Sequence, residues 1–180
     1  DRYNLSLAYR RDGSSRFHKN SRWGNFWAVG AGWNINSEKF MKNVSWVNRL
    51  KLRGSYGQTG NDGLSGYYPY QTTYGSSNNL DEPGLRVAHV GNTDLTWETQ
   101  ITSDVALEFG LFDRIDGTIE VFNKESKDLL FEYELAASTG VASIDRNIGK
   151  VRNYGLELEL GAKILRIGDF SWSLRANATW

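Results

Sequence analysis

The sequence predicts an all-β protein, an antiparallel meander of about seven strands that forms part of a transmembrane barrel wall. Three observations lead there. Apolar and polar residues alternate with period two through nearly every ordered segment, which is the strand signature. The segments are long, close to the roughly 9–11 residues a tilted strand needs to cross a bilayer, whereas strands of soluble sheets cluster near about 5–6. Their apolar faces also tend to end in Tyr, Trp or Phe, as at the two interfaces of a membrane. A soluble β-sandwich shares the alternation and is the competing reading.

The first hairpin, Tyr3 to Ile35, sets the pattern. Tyr3, Leu5, Leu7 and Tyr9 share one face, with Arg2, Asn4, Ser6, Ala8 and Arg10 on the other. A polar tip, Asp12-Gly13-Ser14-Ser15-Arg16-Phe17, leads to a return strand with Trp27, Val29, Ala31, Trp33 and Ile35 on one face. Only Ala28, Gly30, Gly32 and Asn34 lie opposite. Residues 37–44 read either as a turn of helix capped by Ser37 or as a loop. The third strand, Arg49 to Gln58, sets Leu50, Leu52 and Tyr56 against Lys51, Arg53 and Ser55, and ends in the turn formers of residues 57–63. Residues 59–95 are the longest stretch without a clear period.

The fourth strand, Thr96 to Leu111, is the most regular. Trp97, Thr99, Ile101, Ser103, Val105, Leu107, Phe109 and Leu111 face outward, opposite Glu98, Gln100, Thr102, Asp104, Ala106, Glu108 and Gly110. Three carboxylates on one face cannot enter a dry core unpaired. A water-filled interior, or pairing with Arg53 on a neighbouring strand, resolves the conflict. A turn at 112–117 opens a fifth strand whose face carries Ile119 and Val121 and then, after the polar 123–127, Leu129, Phe131, Tyr133 and Leu135. A second loop spans 136–150. The sixth strand sets Tyr154, Leu156, Leu158, Leu160, Ala162 and Ile164 against Gly155, Glu157, Glu159, Gly161 and Lys163. A turn at 166–169 leads to the seventh, with Phe170, Trp172, Leu174, Ala176, Ala178 and Trp180 on one face. In such a meander the connections at 11–22, 59–95 and 136–150 share one end, and the turns at 112–117 and 166–169 share the other. Long loops on one rim and short turns on the opposite rim are the pattern of an outer-membrane barrel; the 37–48 connection departs from it.

Composition narrows the function classes. The 21 basic and 21 acidic residues balance, so no nucleic-acid footprint is expected. There is no cysteine, which excludes disulfides and thiolate metal sites. A mean hydropathy of −0.53 excludes spanning helices but not a barrel, whose apolar residues occupy alternate positions. The sequence opens inside a strand at Asp1 and stops inside another at Trp180, as expected of an excerpt from a longer protein.

Candidate functional residues are few. Tyr67, Tyr68, Tyr70 and Tyr74 lie in the long aperiodic stretch, and tyrosine suits ligand or partner contact because it offers flat apolar area and a hydroxyl. Glu157 with Glu159, or Asp104 with Glu108, resemble hydrolytic carboxylate pairs, roughly 7 Å apart for neighbours on one strand face. The same spacing recurs as general polarity of that face, so no catalytic residue is assigned. His18 and His89 stand far apart in sequence and read as loop surface residues, and neither a metal nor another cofactor is expected.

The chain resembles the C-terminal half of the barrel of SusC/RagA-type TonB-dependent outer-membrane transporters. The resemblance rests on Arg10 to Phe17, Arg22-Trp23-Gly24, Ala31-Gly32-Trp33 and Leu50 to Asn61. It continues through Leu95-Thr96-Trp97-Glu98-Thr99, Lys127-Asp128-Leu129-Leu130, Asn147 to Val151 and Asn153 to Leu158. Trp27 departs from it, standing where that family commonly has proline. The resemblance implies a roughly 22-stranded transmembrane β-barrel, of which residues 1–180 are a partial barrel domain, without signal peptide, TonB box or plug. It further implies a nutrient importer in the outer membrane of a Gram-negative bacterium, taking up oligosaccharides or peptides. Its implied partners are a SusD-like surface lipoprotein over the loops, TonB acting through the N-terminal part, and outer-membrane lipid around the wall. A siderophore or cobalamin receptor is the nearer alternative and a soluble carbohydrate-binding sandwich the more distant one.

Overall fold

A computed structural model describes residues 2–79 and 82–180, so the expectation that the chain is already in a strand at Asp1 lies outside the described residues. In chain order the strands are β1 (Tyr3–Gly13), β2 (Trp23–Asn34), β3 (Val47–Asn61), β4 (Thr73–Asn79), β5 (Glu82–His89), β6 (Glu98–Leu111), β7 (Ile115–Lys127), β8 (Leu130–Glu134), β9 (Ser143–Asn147), β10 (Lys150–Ile167) and β11 (Phe170–Thr179). Seven of them form one antiparallel sheet in the order β1-β2-β3-β6-β7-β10-β11, the expected meander. The remaining four form two separate hairpins, β4-β5 and β8-β9. Trp180 continues the ladder past β11, exchanging two 2.9 Å backbone hydrogen bonds with Leu156.

The register shows why the alternation matters. Successive pairings align Tyr3, Trp33, Leu52, Leu107, Ile119, Leu158 and Ala178 in one row across the sheet. One residue along, the row reads Asn4, Gly32, Arg53, Ala106, Glu120, Glu157 and Thr179. Since successive side chains point to opposite faces, the first row is an apolar face and the second a polar one. Leu5, Leu7 and Leu174, all on the apolar face, are 71%, 76% and 57% exposed. Among the described residues no second sheet covers them, so the sandwich reading fails. A sheet-wide apolar face far exceeds the isolated patches of a soluble monomer.

Aromatic rings bracket this face. Towards the long connections, Tyr9 pairs with Trp27, whose ring lies 5.4 Å from that of Tyr56. Towards the short turns, Tyr3 stacks on Trp33 at 6.5 Å and Trp46 on Phe112 at 5.6 Å. The turn between β6 and β7 is tighter than expected, with Phe112 and Asp113 at φ 57° and 55°. The chain around the start of β3 holds these two left-handed residues: the Phe112 amide donates to the Trp46 backbone carbonyl at 2.8 Å and the Asp113 amide to the side-chain Oδ1 of Asn48 at 2.7 Å.

On the polar face Arg53 resolves the carboxylate conflict. Its guanidinium lies 3.6 Å from Asp104, 3.1 Å from Glu108 and 2.6 Å from Glu120, on two neighbouring strands. Arg49 also pairs with Glu108, and Ser55 Oγ donates to Asp104 at 2.6 Å.

Several elements differ from expectation. Residues 37–44 contain no cap by Ser37; two 3₁₀ turns, Ile35–Ser37 and Lys39–Met41, flank Glu38 instead. Glu38 is held by Tyr3 Oη at 2.8 Å and Trp33 Nε1 at 3.0 Å, donors that lower its carboxyl pKa, aided by nearby Arg2. The aperiodic 59–95 stretch contains the β4-β5 hairpin, and the 136–150 loop contains β9. The fifth strand does not run on to Leu135. It stops at Lys127, where Asp128 takes φ 54°, and the apolar residues beyond belong to the β8-β9 hairpin. Trp97 is not in the outward row, because β6 begins one residue later and the ring turns to the loop side.

Candidate functional site

The three connections on the long-loop end are joined by a small dry core of their own. Phe17 and Leu95 are fully buried, Leu64 nearly so, and Trp97 and Leu130 pack against them. The Trp97 ring sits 5.3 Å from Phe17 and 5.4 Å from Phe26, and its Nε1 donates to the Arg22 carbonyl at 3.2 Å. Phe26 in turn lies over Gly60, where an added Cβ would stand 2.0 Å from the ring. Glycine is what lets the ring reach the wall there.

Polar ties complete the assembly. Ser14 Oγ donates to Asp62 at 2.7 Å, and Arg16 donates to the Asp62 carbonyl at 3.0 Å. Asn147 donates to the carbonyls of Thr96 at 2.9 Å and Asp128 at 2.8 Å and accepts from the Thr96 amide at 2.9 Å. Apart from Asp62, these residues fall within the stretches that carry the family resemblance. They spread through the sequence and meet at one rim.

On the same rim lies a half-open pocket of about 370 Å³, a volume within the usual range of small-ligand sites. It is lined by Tyr67, Tyr68 and Pro69, by His89 at the end of β5, and by Glu132, Ser143 and Asp145 of the β8-β9 hairpin. Of the four tyrosines singled out from sequence, the structure brings two to it. Tyr70 instead meets His18 edge-on at 5.8 Å and Tyr68 at 6.3 Å. Tyr74 sits on β4 opposite Val87, 66% exposed and away from the cavity lining.

His18 and His89 are half-buried rather than free on the surface. His89 Nε2 lies 3.0 Å from the Pro69 carbonyl. Sequence reasoning missed Glu132, Ser143 and Asp145. Asp145 is only 7% exposed, and burial, with a smaller push from Glu132, raises its carboxyl pKa against the opposing pull of His89. Ser143 Oγ donates to Glu132. The carboxylates considered for hydrolysis lie elsewhere. Asp104 and Glu108 belong to the Arg53 network, and Glu157 and Glu159 line an open groove of about 390 Å³ with Arg53 and Arg175 on the polar face. Among the described residues no cluster of three metal-ligating side chains occurs.

Long strands with one apolar and one polar face, short turns at one end and interlocked loops at the other define a segment of transmembrane β-barrel wall. In agreement, residues 1–180 match the family model "TonB dependent receptor-like, beta-barrel", and the chain belongs to that family. TonB-dependent receptor P39 of Formosa agariphila is 36% identical across 99% of this chain and 17% of the relative. TonB-dependent receptor SusC of Bacteroides thetaiotaomicron is 34% identical across the whole chain and 19% of the relative. The solved structure of the RagAB peptide transporter superposes with a TM-score of 0.87 at 31% identity, over 97% of this chain and 19% of that one. This chain therefore spans under a fifth of the length of each of these relatives.

Proposed function

We propose that this chain is a stretch of wall and loop rim from an outer-membrane, TonB-dependent nutrient importer of the SusC type. The cargo in this reading is an oligosaccharide or a peptide, and a SusD-like lipoprotein closes over the rim. TonB would act through a plug encoded elsewhere in a longer chain, within a barrel of about 22 strands. The wall's part is physical and not catalytic: its apolar face meets lipid, its polar face meets water or plug, and its rim meets cargo or lid.

The observation that carries this reading is the rim. Three separate connections share a dry core, and two of them border a half-open, tyrosine-lined pocket on the loop end of an amphipathic wall. A wall serving only as a scaffold would need no such assembly. Similarity to the RagAB peptide transporter supports peptide cargo, and the oligosaccharide alternative rests on the SusC/RagA resemblance of the sequence. The test is uptake by cells with and without the full-length protein, using labelled oligosaccharides, peptides, ferric siderophores and cobalamin, with purification in detergent to identify bound lipoproteins. Loss of sugar or peptide uptake together with a co-purifying lipoprotein is expected. Loss confined to siderophore or cobalamin uptake would overturn the cargo class, and unchanged uptake of all four would overturn the importer.

A further inference from the structure

The rim cavity carries an electrostatic imbalance. Glu132 and Asp145 are directly opposed in the β8-β9 ladder, and both line the cavity. Like charges facing each other across two strands are destabilising, and a buried carboxylate without a partner is more costly still. Asp145 is more than nine-tenths buried, yet among the described residues its carboxylate accepts no hydrogen bond and makes no ion pair. No lysine or arginine lines the cavity. His89, the one base there, directs Nε2 to the Pro69 carbonyl. Two acidic residues thus line a half-open space of about 370 Å³ that the exposed Tyr67 and Tyr68 also border. Such a site wants a positive charge on an apolar stem, because carboxylates hold the charge and tyrosine faces attract a cation.

We infer that this cavity is a subsite for a primary ammonium or guanidinium group carried by the cargo, held by Asp145 and Glu132 with Tyr67 and Tyr68 along its stem. The assignment rests on the importer reading for the source of that group; the binding itself can be measured independently.

The experiment is calorimetric titration of the full-length protein in detergent with the peptide Gly-Gly-Lys-Gly-Gly and its norleucine counterpart, for wild type, Asp145→Asn and Glu132→Gln. The lysine peptide is expected to bind wild type at least about tenfold more tightly than the norleucine peptide, and Asp145→Asn is expected to abolish that preference. Glu132→Gln, at an exposed position, should reduce it severalfold, and carries the test if the buried substitution prevents folding. Equal binding of the two peptides by wild type, or an undiminished lysine preference in both variants, would overturn the assignment. So would a response of the variants confined to a neutral oligosaccharide, or loss of lipoprotein co-purification with lysine-peptide binding unchanged. Failure of lysine binding in a protein that still imports nutrient rejects the subsite alone, whereas uptake unaffected by deletion rejects the importer.

Discussion

Asn147 shows how much one side chain can hold. Its three hydrogen bonds join β9 to the start of β6 and to the bend at Asp128. Asn147→Ala should cost about 1–3 kcal/mol locally at roughly 1 kcal/mol per net bond, seen as faster amide exchange in β8 and β9 with β6 and β7 unchanged. Asp145 adds a pH dependence. Its folded pKa is raised above the unfolded value, mainly by burial, so its contribution favours the hairpin at acid pH and is lost as pH rises through the folded value. Protection of the β8-β9 amides, corrected for intrinsic exchange, should therefore fall as the pH is raised above about 4 in the full-length protein, and Asp145→Asn should remove that trend. At this scale the sequence was only partly legible. Tyr67 and Tyr68 stand out because large aromatics in an aperiodic stretch have no regular apolar face to join. Asp145 does not, because Tyr68 and Pro69, which line the same pocket, and Asn92, which donates to its carbonyl, are more than fifty positions away in sequence.

At the scale of elements, each wall strand is an alternation that a membrane would read twice. Leu158 lies in the apolar row between Ile119 and Ala178, and Glu157 beside it lies in the polar row between Glu120 and Thr179. Leu158→Arg should destabilise the full-length barrel by about 2–4 kcal/mol in lipid or detergent, with Glu157→Arg far milder; urea titration of each variant measures this, and equal costs would reverse the two faces. Wall strands were legible because period two is a local signal that tertiary context reinforces. Bends were not. Asp128 at φ 54° and Gly149 at φ 88° turn β8 and β9 out of the wall, yet the apolar positions that resume after the polar 123–127, Leu129 and Phe131, keep the parity of Ile119 and Val121. Periodicity reports which way side chains point, and is silent about a corner that preserves the count. The β4-β5 hairpin escaped for the opposite reason: Gly75, Ser76, Ser77 and Asn78 pair through backbone alone and carry no apolar period.

For the whole molecule, β1 and β11 are the outer strands of an open sheet, and each has one edge unpaired among the described residues. Unpaired edges and a bare apolar face both invite association. Residues 1–180 alone should therefore precipitate or form large oligomers in plain buffer and stay dispersed only in detergent, as size-exclusion chromatography would show; a monodisperse, cooperatively melting monomer in buffer would contradict the barrel wall. The meander order was legible from the connections, since short links force neighbouring strands to pair. That the rim has a core of its own was not, because Phe17, Leu64 and Leu95 each look like an isolated apolar residue in a polar stretch and Leu130 like one member of an apolar run. This core has a consequence for variation over generations. Leu64, Leu95 and Leu130 of this core sit at the roots of the two hairpins. Lengthening a tip changes loop closure by only about 0.6 kcal/mol per doubling, so relatives can trade one tip for another, and with it one preference for another, while every root contact and the wall beneath stay as they are.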